Sequence, residues 1–142
     1  MRVRLLLSFV FVALFVALQG CGGRSYAPVS GTVTLDGKPV ANADVTFIPI
    51  AEAGTKEAGD TAGGKTNEKG EYKLKTYTPQ GWKEGALVGK HRVSISQLGS
   101  KGEGDRSVTW EKLPKQYNGE KTELTYEVHS GENKKDWELK SR

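Results

Sequence analysis

VSGTVTLDGKPVANADVTFIP, from Val29 to Pro49, holds two apolar alternations on either side of the dipeptide Asp36-Gly37. Val29, Gly31, Val33 and Leu35 alternate with Ser30, Thr32 and Thr34, and Ala43, Val45 and Phe47 alternate with Asp44, Thr46 and Ile48. A period of two is what a strand with one buried face requires. Asp-Gly supplies the positive-φ pair of a tight hairpin. The stretch therefore predicts a strand pair, and Pro49 closes it.

The same alternation recurs downstream. Tyr72, Leu74 and Thr76 alternate with Lys73 and Lys75, giving a strand with one polar face. His91, Val93 and Ile95 share a face opposite Arg92, Ser94 and Ser96. Two final strands run through Leu124, Tyr126 and Val128 and through Trp137 and Leu139, separated by the turn Ser130-Gly131-Glu132-Asn133. Between them, 51–64 and 99–106 are glycine-rich and charged and predict loops, the first too poor in large apolar residues to offset its ordering entropy. Pro79 to Gly85 predicts a turn region, and Leu113 to Tyr117 a short irregular piece with two apolar anchors. No segment after Cys21 keeps an apolar period of 3.6 residues over three turns. About seven short strands spaced by turn signals predict an all-β, antiparallel sandwich of immunoglobulin-like size.

The amino terminus reads differently. MRVR carries two positive charges, Leu5 to Leu18 is apolar apart from Ser8, and Gln19-Gly20-Cys21 follows, which is the order of a secretory signal. As a helix the apolar run spans about 21 Å, short of the roughly 30 Å of a bilayer core. Without Arg2 and Arg4 the formal charge of +4 falls to +2, which gives no basis for a nucleic-acid partner.

Leu18-Gln19-Gly20-Cys21 resembles the bacterial lipobox, with Gln where a small or β-branched residue is commoner. The resemblance implies cleavage before Cys21 and a thioether-linked lipid on that sulfur, with palmitate-type acyl chains holding the protein to a membrane. Several chains at about 0.8 kcal/mol per buried methylene make such an anchor effectively permanent. The expected organisation is a signal peptide over 1–20, a lipidated tether over 21–27 and one domain over 28–142. Gly22, in place of the Asp that commonly retains lipoproteins at the inner membrane, favours the outer membrane or its periplasmic face.

Val29-Ser30-Gly31-Thr32-Val33, the run from Asp36 to Pro49, Thr66-Asn67-Glu68-Lys69-Gly70-Glu71-Tyr72 and Gly89-Lys90-His91-Arg92-Val93-Ser94-Ile95 together resemble carboxypeptidase regulatory-like domains. Asn67 stands where Asp is more usual and His91 where Tyr is commoner. The resemblance covers about residues 28–97. It implies a seven-stranded, prealbumin-like (transthyretin-like) sandwich serving as a structural or binding module, with no enzymatic activity. Transthyretin-related hydrolases end in Tyr-Arg-Gly-Ser, whereas this chain ends Leu139-Lys140-Ser141-Arg142.

The search for chemistry returns little. A zinc site needs three or four Cys, His or carboxylate ligands, and His91 and His129 lie on different strands, His91 reading as a rim residue. Glu57, Asp60, Glu103 and Asp105 lack the spacing of a calcium loop and read as solvated loop charge. No G-x-S-x-G elbow is present. No metal and no cofactor is expected. Trp137 is in phase with Leu139 and reads as core. Trp82 and Trp110 fall in loop or strand-end contexts and are the candidate ligand-binding residues, an aromatic platform for sugar. The expected function is that of a non-enzymatic membrane-anchored lipoprotein of the cell envelope, a structural or interaction module with an envelope protein or glycan as partner. The alternative is a carbohydrate-binding module using Trp82 and Trp110.

Overall fold

The computed structural model describes residues 24–51, 59–102 and 107–142. The signal segment 1–20, Cys21, residues 52–58 of the loop expected over 51–64 and residues 103–106 of the loop expected over 99–106 lie outside the described residues. In chain order the strands are β1 Tyr26–Ala27, β2 Val29–Leu35, β3 Lys38–Pro39, β4 Asp44–Pro49, β5 Ala62–Lys65, β6 Glu71–Lys73, β7 Lys75–Thr78, β8 Gly81–Glu84, β9 Ala86–Leu87, β10 Gly89–Ser96, β11 Leu98–Lys101, β12 Val108–Glu111, β13 Thr125–Val128, β14 Asn133–Lys134 and β15 Trp137–Leu139. Two single-turn 3-10 segments, Lys115–Tyr117 and Gly119–Lys121, precede β13. The described chain is all-β, and its pairings are mostly antiparallel.

A six-stranded sheet runs β13-β10-β4-β5-β7-β8, and a five-stranded sheet is built around β2. Ser30 of β2 lies opposite Lys73 of β6 on one edge and Lys134 of β14 on the other. The two sheets share one core, in which Val33, Val45, Phe47, Val93 and Ile95 are fully buried. The Phe47 ring reaches Trp137 of the opposite sheet at 6.4 Å and also packs on Tyr126 at 6.0 Å. Each such side chain contributes about 1.5–3 kcal/mol on burial, and Trp137 and Leu139 are in that core as their phase predicted.

Both strands expected in the opening stretch form, but they are not a pair. The Asp36-Gly37 turn returns only the short β3 to β2, and after a second turn at Ala41-Asn42 the chain crosses to the other sheet, where β4 lies between β10 and β5. The two apolar faces therefore meet across the core instead of side by side. Asp36 and Gly37 take φ of 49° and 79°, the left-handed values of a two-residue hairpin, and β3 folds back on β2. Gly31 allows a close approach between chains: a Cβ there would run into the Lys135 carbonyl. Asn67 does the work of an Asp in its turn, because its Oδ1 accepts the Lys69 and Glu71 amides at 2.9 and 3.0 Å. Thr66 ties the same turn to the opening hairpin, donating to the Val40 carbonyl and accepting from the Ala43 amide.

Several expectations are corrected. The segment 51–64 is not loop to its end, since β5 begins at Ala62 and lies between β4 and β7. Its small residues suit the place: Ala62 is buried, and a Cβ at Gly64 would meet the Lys73 carbonyl. The run from Tyr72 to Thr76 is not one strand. It crosses at Leu74 from β6 in one sheet to β7 in the other, so that Tyr72, Leu74 and Thr76 are all buried. Pro79 to Gly85 contains β8 as well as a turn, and 99–101 belongs to β11, which pairs with β12. β14 and β15 run parallel to β2 rather than antiparallel. These splits give more, shorter strands than the seven expected.

The topology gives the body two ends. The Ser25 carbonyl accepts the Val88 amide at 2.8 Å, just ahead of Gly89, so the chain enters at the start of β10. β10 is antiparallel to β4, β4 to β5 and β5 to β7, which places the β7–β8 turn at that same entry end. The β11–β12 ribbon leaves from the opposite end of β10, roughly 23 Å away at about 3.3 Å per residue.

Candidate functional site

On β7 the side chains alternate strictly. Thr76 and Thr78 face inward and are tied down, Thr76 donating to the Gly85 carbonyl at 2.7 Å and Thr78 to the Gly81 carbonyl at 2.8 Å. The Gln80 amide closes the turn by donating to Thr78 Oγ1. Tyr77, between the two threonines, is thereby aimed outward. It lies directly opposite Trp82 of β8, and the two rings meet edge to face with centroids 5.2 Å apart. Both remain exposed, at 66% and 70%.

Beside them the face of the sheet is hollow. Gly63 of β5 lies between Thr46 and Lys75 in register and has nothing within 4 Å of where a Cβ would stand. The resulting groove, about 460 Å³, is lined by Thr46, Thr61, Gly63, Lys75, Tyr77 and Trp82 among others. Its lysines are matched by carboxylates: Lys65 meets Asp44 at 2.9 Å and Lys75 meets Glu84 at 3.2 Å. Such exposed pairs add little stability, but they leave a charge-balanced face of rings and hydroxyls. That face can stack a flat apolar surface and offer hydrogen bonds at its margin.

The hairpin also borders the chain's entry point. Arg24, Ser25, Tyr26, Asp60, Gln80 and Lys83 line a second depression of about 640 Å³. Tyr26 donates its hydroxyl to Asp60 at 2.7 Å, and Arg24 approaches the same carboxylate at 3.6 Å. Burial, with the Asp60 hydrogen bond second, raises the Tyr26 phenol above its usual range. Asp60, weighed in sequence as a calcium ligand, serves this corner. Among the described residues no group of three or more His, Cys, Asp or Glu converges on a point.

The sequence candidates are thus separated. Trp82 is on the outer face at the entry end, and Trp110 is on β12 at the far end, 46% exposed. Trp110 lies opposite Gly99 and covers it, since a Cβ on Gly99 would stand 2.6 and 2.7 Å from two ring atoms. The ring beside Trp82 is Tyr77, which sequence reasoning passed over. The signal was there, because Tyr77 continues the polar face of Lys73 and Lys75, and a tyrosine in that phase must be exposed.

His91 is not at the rim. It is 1% exposed and packs on Phe47 with ring centroids 5.8 Å apart. Its Nδ1 lies 2.9 Å from the Gly89 carbonyl, an acceptor only, so Nδ1 carries the proton and Nε2 keeps a buried lone pair with no partner among the described residues. Burial holds this imidazole below the usual histidine range. His91 and His129 line one cleft of about 550 Å³ with Ile50, Lys90, Tyr126 and Glu127. Cys21 lies outside the described residues, three positions before Arg24.

A polar chain at the edge of the core is structural. Trp137 Nε1 donates to the Tyr72 hydroxyl at 3.1 Å, which in turn donates to the Lys135 carbonyl at 2.7 Å. Burial pushes the Tyr72 phenol up. The chain thereby pins β6 to the segment joining β14 and β15. Comparison with protein-family models, with curated proteins and with solved structures finds no match to this chain in any of the three.

Proposed function

We propose that the protein is a non-enzymatic lipoprotein of the cell envelope, anchored through Cys21, whose β body is a prealbumin-like sandwich used for structural or binding contacts. The observation that carries the reading is the spacing at the entry point. The lipobox-like Leu18-Gln19-Gly20-Cys21 ends four residues before Ser25, whose carbonyl accepts the Val88 amide and so ties the chain to the body. Such a leash spans no more than about 14 Å at full extension, so the domain would ride close to its membrane. Gly22 after the cysteine favours the outer membrane or its periplasmic face. Radiolabelled palmitate fed to cells expressing the full chain should label the wild type and not Cys21→Ser, and the variant should leave the membrane fraction. Label and membrane partition retained by Cys21→Ser would overturn the reading.

A second reading is supported by the outer face of the six-stranded sheet. Trp82 and Tyr77 over the open Gly63 floor make a surface suited to the flat side of a neutral sugar. In this version Tyr77 takes the part first given to Trp110. Binding on a glycan array that disappears in Trp82→Ala and persists in Trp110→Ala would support it, and binding indifferent to Trp82 would remove it.

A further inference from the structure

We infer that the β7–β8 hairpin docks on the lipid surface itself, with the Tyr77–Trp82 pair seated in the headgroup region of the bilayer to which the protein is anchored. The inference rests on the Cys21 anchor of the preceding section. It starts from where the chain enters. Ser25 is bonded to Val88, and Tyr26 and Ala27 pair with Leu87 and Ala86, so the leash emerges at one end of the body. Four residues keep that end within about 14 Å of the lipidated sulfur.

The β7–β8 turn occupies this same end and touches the entry point, because Ser25 and Tyr26 share a depression with Gln80 and Lys83. Large exposed apolar side chains gather there. Trp82 and Tyr77 are 70% and 66% exposed, and Ile50, whose amide donates to the Lys90 carbonyl, is 47% exposed. Tryptophan and tyrosine are the side chains that settle at a membrane interface, an apolar body below and a polar tip in the headgroups. Lys83 and Lys90 are exposed at this end as well and suit anionic headgroups. The tether supplies proximity, and it converts weak surface contacts into an intramolecular equilibrium.

The other exposed tryptophan provides the control. Trp110 sits on the ribbon at the far end of β10, roughly 23 Å from the entry end, and Trp137 is buried in the core. The experiment places the full lipidated protein in phosphatidylcholine and phosphatidylglycerol vesicles containing phospholipids brominated high on the acyl chain. Tryptophan emission is then read for the wild type, Trp82→Phe and Trp110→Phe, with the mass of the Cys21 peptide measured on each sample. Wild type and Trp110→Phe should be quenched, and Trp82→Phe should lose most of the quenching. A lipidated sample in which quenching is absent, or is indifferent to Trp82, overturns the docking alone. A free thiol at Cys21 overturns the anchor and the docking together. Lipidated protein with unquenched Trp82 and Trp82-dependent glycan binding returns the pair to the sugar reading.

Discussion

Trp82 and Trp110 sit on β-hairpins at opposite ends of the same body, both in cross-strand pairs and both solvent-exposed, yet they differ in what their rings cover. Trp110 lies across Gly99, filling the space a side chain would occupy and shielding the backbone of its own ribbon. Trp82 leans on Tyr77, and the neighbouring glycine, Gly63, is left open. An aromatic residue that rescues a strand glycine has a structural task already. One that stands beside an uncovered glycine has apolar area to spare, so exposure alone does not mark a site.

The contrast holds only if the frame carrying both hairpins is rigid, and the largest effect is expected there. Gly31→Ala drives a methyl into the Lys135 carbonyl and should cost roughly 3 kcal/mol or more, with a matching drop in the thermal midpoint followed by circular dichroism. An unchanged midpoint would mean that β2 and the β14–β15 segment are not held as close as described. Next, Gly99→Ala should cost about 1–2 kcal/mol and shift Trp110 emission to the red as the ring is displaced, whereas Gly63→Ala should be neutral within about 0.5 kcal/mol. Equal effects at the two glycines would erase the distinction between the hairpins.

A smaller loss should appear on mild acidification. The folded state holds His91 neutral and below its ordinary range, so between that depressed value and about 6.5 the unfolded chain binds more protons than the native one. Stability therefore falls as pH drops from 7 through 6 towards 5, and His91→Phe should flatten that slope. The Asp36 carboxyl, held low by hydrogen bonds from Ser141, acts only at more acidic pH. Trp82→Ala should cost only about 0.2–1 kcal/mol, the worth of its exposed edge-to-face contact with Tyr77.

Much of this frame is legible in the sequence, for reasons that also explain what is not. The inward faces of β4 and β10 carry branched and aromatic residues in alternation, β2 does so except at Gly31, and Asp36-Gly37 can hardly be anything but a turn. β5 carries Ala-Gly-Gly-Lys, small because neighbouring chains press on Gly64, and so it sends no apolar signal even though it lies inside the sheet. The alternation through Tyr72, Leu74 and Thr76 is real, but periodicity does not say which sheet a residue joins, and the chain changes sheets at Leu74. Nor does it give direction, which is why the parallel pairing of β14 and β15 with β2 was out of reach. For His91 the face was read correctly and the polarity of the side chain misled. For the tryptophans the sequence supplied exposure, while the partner of each ring is a matter of cross-strand register.

In the function proposed above, this body is held to a membrane through the sulfur at position 21. Intact-mass spectrometry of the protein purified from membranes of its own cells tests it most directly. The expected species is a chain beginning at Cys21 and heavier than its residues by a diacylglyceryl group, with or without a further acyl chain. A chain still beginning at Met1, or one carrying an unmodified thiol at Cys21, would contradict it.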